Sequence, residues 1–388
     1  MLYKKFGRLD WNVSLLGLGC MRLPGKKVLF WKLADESKAI EMIRYAIDNG
    51  INYIDTAYSY HAGKSEIIVG KALKNGYREK VKLVTKLPIW KVKKAEDFDR
   101  LLQEQLKKLD VEYLDLYLFH ALNKERFELI KKLDLIKKME EAKRKGLIKA
   151  IGFSFHDSLK VFKEIVDYYQ WDACLVQHNY VDADIQATYE GIKYAHSKGL
   201  AVVIMEPLKG GRLAKPSEEI IKIMDKSPVK RSPPDWALQY LFNKPEINIV
   251  ISGMGSKQMI DENIKSVENF EKQPMSNEEK IILEEIRTLF KKNIVVPCSG
   301  CNYCQPCPSG VAIPLIFSMV NDAYSTKNLK KYQKAYQKLT KEKLKLNNDK
   351  SNGNAELCVK CKKCVNECPQ GIDIPTELEK AHQMLQKT

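Results

Sequence analysis

The sequence predicts an α/β fold: a closed (β/α)8 TIM barrel over residues 1–293, then a small, mostly helical domain over 294–388. Three observations predict it. Eight short apolar runs alternate with helical patterns through residue 270. The first run ends in Gly17-Leu18-Gly19-Cys20-Met21, with no G-x-G-x-x-G opening a helix, which argues against an open doubly wound sheet. Eight of the ten cysteines lie in the last quarter of the 388 residues, a length that allows two domains.

The first unit pairs a strand at 15–18 with a helix at 37–49, and the second a strand at 53–55 with a helix at 65–75. The third pairs 81–85 with 95–109 and the fourth 114–119 with 125–145. Strands at 150–153, 173–177, 201–205 and 247–251 lead into helices at 159–168, 185–197, 234–242 and 256–270. Every strand is short, apolar and followed by a crossover, as expected of a parallel sheet buried on both faces.

The cysteine-rich tail holds two near-copies of one motif. They read Cys298-x2-Cys301-x2-Cys304-x2-Cys307-Pro308 and Cys358-x2-Cys361-x2-Cys364-x3-Cys368-Pro369. Three soft thiolates at two-residue gaps wrap one iron-sulfur cluster, while the fourth, before proline, conventionally reaches the other cluster. Two 4Fe-4S clusters are therefore expected. Zinc would ask for two thiolate pairs per ion without the Cys-Pro ending. Disulfides fit poorly, because Met1-Leu2-Tyr3-Lys4-Lys5 runs into polar sequence instead of an apolar signal segment, which points to a reducing, cytoplasmic setting.

The repeat continues as Cys307-Pro-Ser-Gly310 to Pro314 and Cys368-Pro-Gln-Gly371 to Pro375, each proline opening an amphipathic helix. Two residues instead of three precede Cys307, so the cluster that it serves stays open. The stretch 314–346 reads as helix, so the domain resembles the helical ferredoxins, with 347–354 as a polar loop back to the second half.

Lysine and arginine exceed aspartate and glutamate, 65 to 49, but are spread along solvated helix faces. No nucleic-acid-binding pattern accompanies the charge, and no apolar stretch approaches membrane-spanning length. Lys360, Lys362 and Lys363, interleaved with cysteines, suit either offsetting an anionic cluster or attracting an acidic electron carrier such as a ferredoxin.

In such a barrel the chemistry sits just past the C-terminal strand ends. Asp55, Tyr60, Lys86 and His120 stand there. Singly, the aspartate reads as a helix cap, the lysine as a solvated tip and the histidine as a satisfied hydrogen-bonding residue. Together with Gly50-Ile-Asn-Tyr-Ile-Asp55-Thr-Ala-Tyr-Ser-Tyr60, Thr85-Lys86, Asp115-Leu-Tyr-Leu-Phe-His120, Ile151-Gly-Phe-Ser154, Val176-Gln177 and Asp261-Glu262-Asn263, they resemble the aldo-keto reductases over residues 1–270. The resemblance implies nicotinamide-dependent reduction of a carbonyl, or oxidation of an alcohol. Tyr60 would be the general acid, Lys86 the cation lowering its pKa, Asp55 the holder of Lys86 and His120 the group orienting the carbonyl. Tyr58 lies at the wrong offset from Asp55.

The same resemblance implies Ser154 and Gln177 at the carboxamide of NADP or NAD, and Glu262 and Asn263 at adenine. Met21, Met205 and Leu208 would line the cofactor, while Gly210, Gly253, Ser256 and Lys257 would approach its phosphates. Phe155, Met205 and Met259 replace an asparagine, an aromatic and an arginine common in the family, which leaves NADP against NAD open. Cys20 and Cys174 are expected in the core.

A hydride carries two electrons and each cluster passes one. One reading is a carbonyl reductase or alcohol dehydrogenase of the aldo-keto type whose clusters link it to another redox protein or simply stabilise the tail. A second puts a flavin, or a substrate that forms a radical, in the barrel, fed by reduced ferredoxin. A third is a redox-sensing regulatory subunit, against which the intact Tyr60, Lys86 and His120 argue.

Overall fold

The computed structural model describes residues 1–28, 31–339 and 353–386. Eight strands close into a barrel: β1 (Leu16–Gly19), β2 (Tyr53–Asp55), β3 (Lys82–Leu87), β4 (Leu114–Leu122), β5 (Ile148–Phe155), β6 (Ala173–Gln177), β7 (Ala201–Met205) and β8 (Ile249–Ser252). Each strand is parallel to its neighbours, and β8 pairs with β1 through Val250 and Leu16 to complete the ring. The expected barrel is the observed one.

Alternation within the strands sends one set of side chains inward. Tyr53, Val84, Leu116, Leu118, Leu175, Val203 and Ile249 fill the interior, while the opposite faces pack beneath the helices. An N-terminal hairpin, Tyr3–Phe6 with Leu9–Ser14, was not expected from the apolar pattern. Its Phe6 stacks on Trp11 at 5.4 Å and meets Tyr53 at 5.9 Å. Asn52, just before β2, donates to the Asn12 carbonyl, which ties the hairpin to the N-terminal end of the strands. The opposite end is left for chemistry.

The single helix expected over 125–145 is two, Lys124–Lys132 and Leu135–Arg144. Asp134 between them has a φ of 49°, a left-handed residue that an α-helix cannot continue through. Helices Glu218–Met224 and Asn277–Asn293 add to the expected set.

The chain forms two compact units, grouped differently from a single cut at residue 293. One comprises Met1–Lys26, Leu33–Leu208 and Pro234–Ser276; the other comprises Lys27–Lys32, Lys209–Pro233 and Asn277–Thr388. The second has its own core, with Val311, Ile313, Phe317, Ile374 and Leu378 buried and six of the motif cysteines, all but Cys301 and Cys361, packed at its edge. Within it, Arg231 and Glu279 form a fully buried ion pair at 2.5 Å.

The two expected amphipathic helices are Ile313–Ser325 and Ile374–Leu385, each with proline in its first turn. A parallel bridge between Val311 and Gly353 joins the two halves. The helical reading of 314–346 resolves as two helices, Ile313–Ser325 and Leu329–Tyr336. Residues 340–346, and 347–352 of the expected loop, lie outside the described residues.

Candidate functional site

Asp55 ends β2, Lys86 is the last residue but one of β3 and His120 lies near the end of β4. Neighbouring strands in register therefore bring three distant residues to one rim. Lys86 Nζ donates to both Asp55 carboxylate oxygens at 2.7 Å and to the Thr56 carbonyl at 2.8 Å, and lies 3.4 Å from the Tyr60 hydroxyl. Lys86 is 1% exposed, so this charge pair is buried. Burial pushes the Asp55 carboxyl up, and the Lys86 ammonium pulls against that shift.

Tyr60 comes from a short turn, Tyr60–Gly63, in which His61 and Ala62 hold φ values of 52° and 54°. Two successive left-handed residues are costly for side chains bearing Cβ, and such strain is concentrated at functional sites. The turn leaves Tyr60 9% exposed. Its ring meets that of His120 edge-on at 6.2 Å. Burial holds the His120 imidazole well below its ordinary pKa, with Lys86, Arg126 and His156 acting in the same direction, so the ring is neutral near pH 7. Tyr58 is turned away, donating to Glu104 at 2.9 Å beneath Lys108.

A second layer lies behind this group. Glu66 is fully buried, and its Oε1 accepts from Thr85 Oγ1 at 2.7 Å and Gln105 Nε2 at 2.5 Å. Gln105 also donates to the Lys86 carbonyl at 3.1 Å and accepts from the Tyr117 hydroxyl at 2.7 Å. Burial raises the Glu66 carboxyl pKa, opposed by the hydrogen bonds from Gln105 and Thr85. This network fixes the strand segment that carries Lys86. Sequence reading missed it, because Glu66 and Gln105 sit on helices, where a polar residue ordinarily faces solvent. Trp90 was missed too; it is 40% exposed, with its ring 5.1 Å from His120 and 5.6 Å from the Arg126 guanidinium.

The expected cofactor residues divide. Ser154 and Gln177 are buried at adjacent strand ends, where Ser154 Oγ accepts from the Ala121 amide at 2.6 Å and Gln177 contacts Gln186 at 3.3 Å. A hydroxyl and an amide there suit a carboxamide. Met205 ends β7 half-buried, while Met21 stands in the turn Cys20–Arg22 after β1. Leu208 follows β7, and Gly210 adopts a φ of 66°. Gly253 is exposed, and Ser256 caps the helix Lys257–Lys272, its Oγ accepting from the Met259 amide at 3.3 Å.

Asn263 turns inward, donating to Ser252 at 2.7 Å. Glu262 accepts from Gln258 at 3.0 Å, and Lys257 is paired with Glu41 at 2.6 Å. Main-chain amides of 253–256 and the helix N-terminus are thus the groups on offer at this end. Cys20 and Cys174 are buried, as expected.

In the second unit the eight motif cysteines line two cavities. One is lined by Cys298, Cys301, Cys304 and Cys368, the other by Cys307, Cys358, Cys361 and Cys364. Each therefore takes three thiols from one motif and the last thiol of the other, which assigns Cys307 and Cys368 crosswise despite the shorter gap before Cys307. Burial and the neighbouring Cys301, Cys298, Cys368 and Cys364 push the Cys304 thiol up. Cys364 is pushed to about 11 by burial, then by Cys307 and Cys358. Ionising all four thiols of a set calls for positive charge between them, so the donor set fits an iron-sulfur group. Among the described residues no three His, Cys, Asp or Glu side chains gather closely enough for a single metal ion. The thiols instead ring a space.

The sequence profile of the Aldo/keto reductase family matches residues 15–282, more than half of the chain. The chain belongs to the aldo/keto reductase family. The profile of a 4Fe-4S dicluster domain matches residues 271–372 of this reductase-family chain. Among its relatives is the uncharacterized oxidoreductase YqkF of Bacillus subtilis, 28% identical over 74% of the chain and 95% of that protein. The probable aldo-keto reductase 1 of Glycine max is 37% identical over 39% of the chain, which spans only 44% of that relative. The NADH-specific methylglyoxal reductase of Escherichia coli is 25% identical over 67% of the chain and 92% of its own length.

Among solved structures, the aldo-keto reductase AKR11C1 of Bacillus halodurans in its holo form superposes with a TM-score of 0.62 at 26% identity, covering 74% of the chain and 96% of its own. The thermostable aldo-keto reductase Tm1743 gives 0.63 at 28% identity, covering 74% and 100%. Among the described residues no helix is long and apolar enough to cross a membrane.

Proposed function

We propose that this aldo/keto reductase family member reduces a small-molecule carbonyl at the expense of a nicotinamide dinucleotide, with Tyr60 as the general acid. The observation that carries the reading is the Lys86 ammonium, held 2.7 Å from Asp55 and 3.4 Å from the Tyr60 hydroxyl, beside a neutral His120. When bound, the dinucleotide supplies a hydride to the carbonyl carbon. Tyr60 gives its phenolic proton to the oxygen. A phenol ordinarily titrates near about 10, too high for a ready donor at neutral pH, and the adjacent ammonium stabilises the phenolate left behind. Asp55 holds Lys86 in place through both carboxylate oxygens. His120 orients the carbonyl oxygen by a hydrogen bond, and Trp90 and Arg126 border the approach to it.

Ser154 and Gln177 hold the carboxamide, with Met21, Met205 and Leu208 beside the rings. Gly253 and Ser256 offer main-chain groups to the phosphates, while Glu262 and Asn263 stand at the adenine end. The eight cysteines of 294–388 hold two 4Fe-4S clusters that exchange single electrons with an acidic carrier of the ferredoxin kind, in the cytoplasm. The test is methylglyoxal-dependent oxidation of NADH and NADPH by anaerobically purified protein, methylglyoxal being the substrate named for the Escherichia coli relative. Turnover that fails with a range of aldehydes and ketones in iron-replete protein would reject the reading.

A further inference from the structure

The two thiol cavities are not equivalent. The Cys298 set is lined by no charged residue: its wall is Ser299, Asn302, Phe317, Gln370 and their apolar neighbours, and all four thiols are half-buried. The Cys307 set opens differently. Cys361 is the exposed member of the ten cysteines, and Lys362 lines the cavity itself. Val359, between two ligands, is 71% exposed, an apolar side chain with nothing folded over it. Lys360, Lys362 and Lys363 follow it closely in sequence and are exposed. Lys360 and Lys362, on either side of Cys361, hold left-handed φ values of 53° and 58°.

Lys360 pairs with Glu379 at 3.0 Å. Among the described residues neither Lys362 nor Lys363 has an ion-pair partner. Glu367, just past the short helix Lys363–Asn366, is the acidic side chain that shares this loop.

Electron exchange between proteins falls steeply with separation, so the centre whose ligand reaches the surface is the one a partner can use. An exposed apolar contact with a lysine rim beside it fits a partner with a small apolar spot ringed by carboxylates. We propose that the Cys307, Cys358, Cys361 and Cys364 centre is the electron port, and that an acidic one-electron carrier protein docks on Val359, Lys362 and Lys363. This rests on the reading of the cysteines as cluster ligands. The step moves one electron from the carrier's reduced centre to this one; the carrier is oxidised, the port centre is reduced, and no bond or proton is transferred. The Cys298 centre would exchange electrons through the port centre, since each set takes its fourth thiol from the other set's motif.

The experiment uses the full chain, purified anaerobically with its iron and sulfide assayed, and an acidic two-cluster ferredoxin as the probe. Affinity is measured at low and high ionic strength, and electron transfer is followed as bleaching of iron-sulfur absorbance. Expected are binding that weakens with salt, and a loss of about tenfold or more in affinity and transfer rate in Lys362→Glu/Lys363→Glu, with iron content unchanged. Val359→Asp should act in the same direction, and Lys331→Glu/Lys334→Glu, on another exposed helix, should not. Equal binding by the Lys362/Lys363 variant, or equal binding of a basic cytochrome, overturns the port. Carbonyl reduction with NADH, assayed on the same samples, tests the reductase separately: its failure in wild-type protein rejects that reading and leaves the carrier-binding result to decide the port.

Discussion

Lys86 meets three oxygens and a phenol within 3.4 Å in a space closed to solvent. Removing the Asp55 charge leaves a buried ammonium uncompensated. Asp55→Asn should therefore cost roughly 3 kcal/mol or more of stability, measured by denaturant unfolding, and should also lower kcat. His156 offers a test that does not touch the proposed proton donor. Protein atoms crowd its ring although the residue as a whole is half-buried, and burial lowers its pKa to about 4 against the Gln186 hydrogen bond. The unfolded chain takes up this proton below about 6.5 and the folded chain does not, so stability is lost as pH falls from there towards 4. In His156→Gln the melting temperature should fall less between pH 7 and 4.5 than in the wild type.

At this scale the meeting of Asp55, Tyr60, Lys86 and His120 was legible, because strand ends and family spacing single them out. Glu66 and Gln105 were not, because their role comes from packing between helices and β3, which no local pattern encodes.

Among the elements, the strands were legible because burial on both faces leaves uninterrupted apolar runs. The N-terminal hairpin was not, since Tyr3–Phe6 carries two lysines and its one inward anchor, Phe6, makes no period. The break at Asp134 was hidden for another reason: the residues on both sides keep helical composition, and a single left-handed residue leaves no trace in it. The helix Lys257–Lys272 carries the coenzyme prediction. Its Lys257 is held by Glu41, and Met259 stands 46% exposed where family members often have arginine. NADH should thus be preferred over NADPH in steady-state assays, and Glu41→Gln, which frees Lys257, should raise kcat/KM for NADPH severalfold with little change for NADH.

For the whole molecule, the tandem cysteine motifs announced an iron-sulfur unit, and its two cavities add the crossed sharing of Cys307 and Cys368 that the uneven gap had obscured. Cys368→Ser should weaken or alter one of two electron paramagnetic resonance signals, with iron falling from near eight towards four per chain if that centre is lost. What chain order concealed is that Lys209–Pro233 belongs to the compact unit of the cysteines, because the buried Arg231–Glu279 pair joins residues far apart in sequence. The reductase claim rests on one proton. The most direct measurement is methylglyoxal reduction by Tyr60→Phe, with coenzyme binding and iron content checked on the same sample. With Tyr60 as the proton donor, kcat should fall by about a hundredfold or more with both checks unchanged; an unaltered kcat would exclude that role.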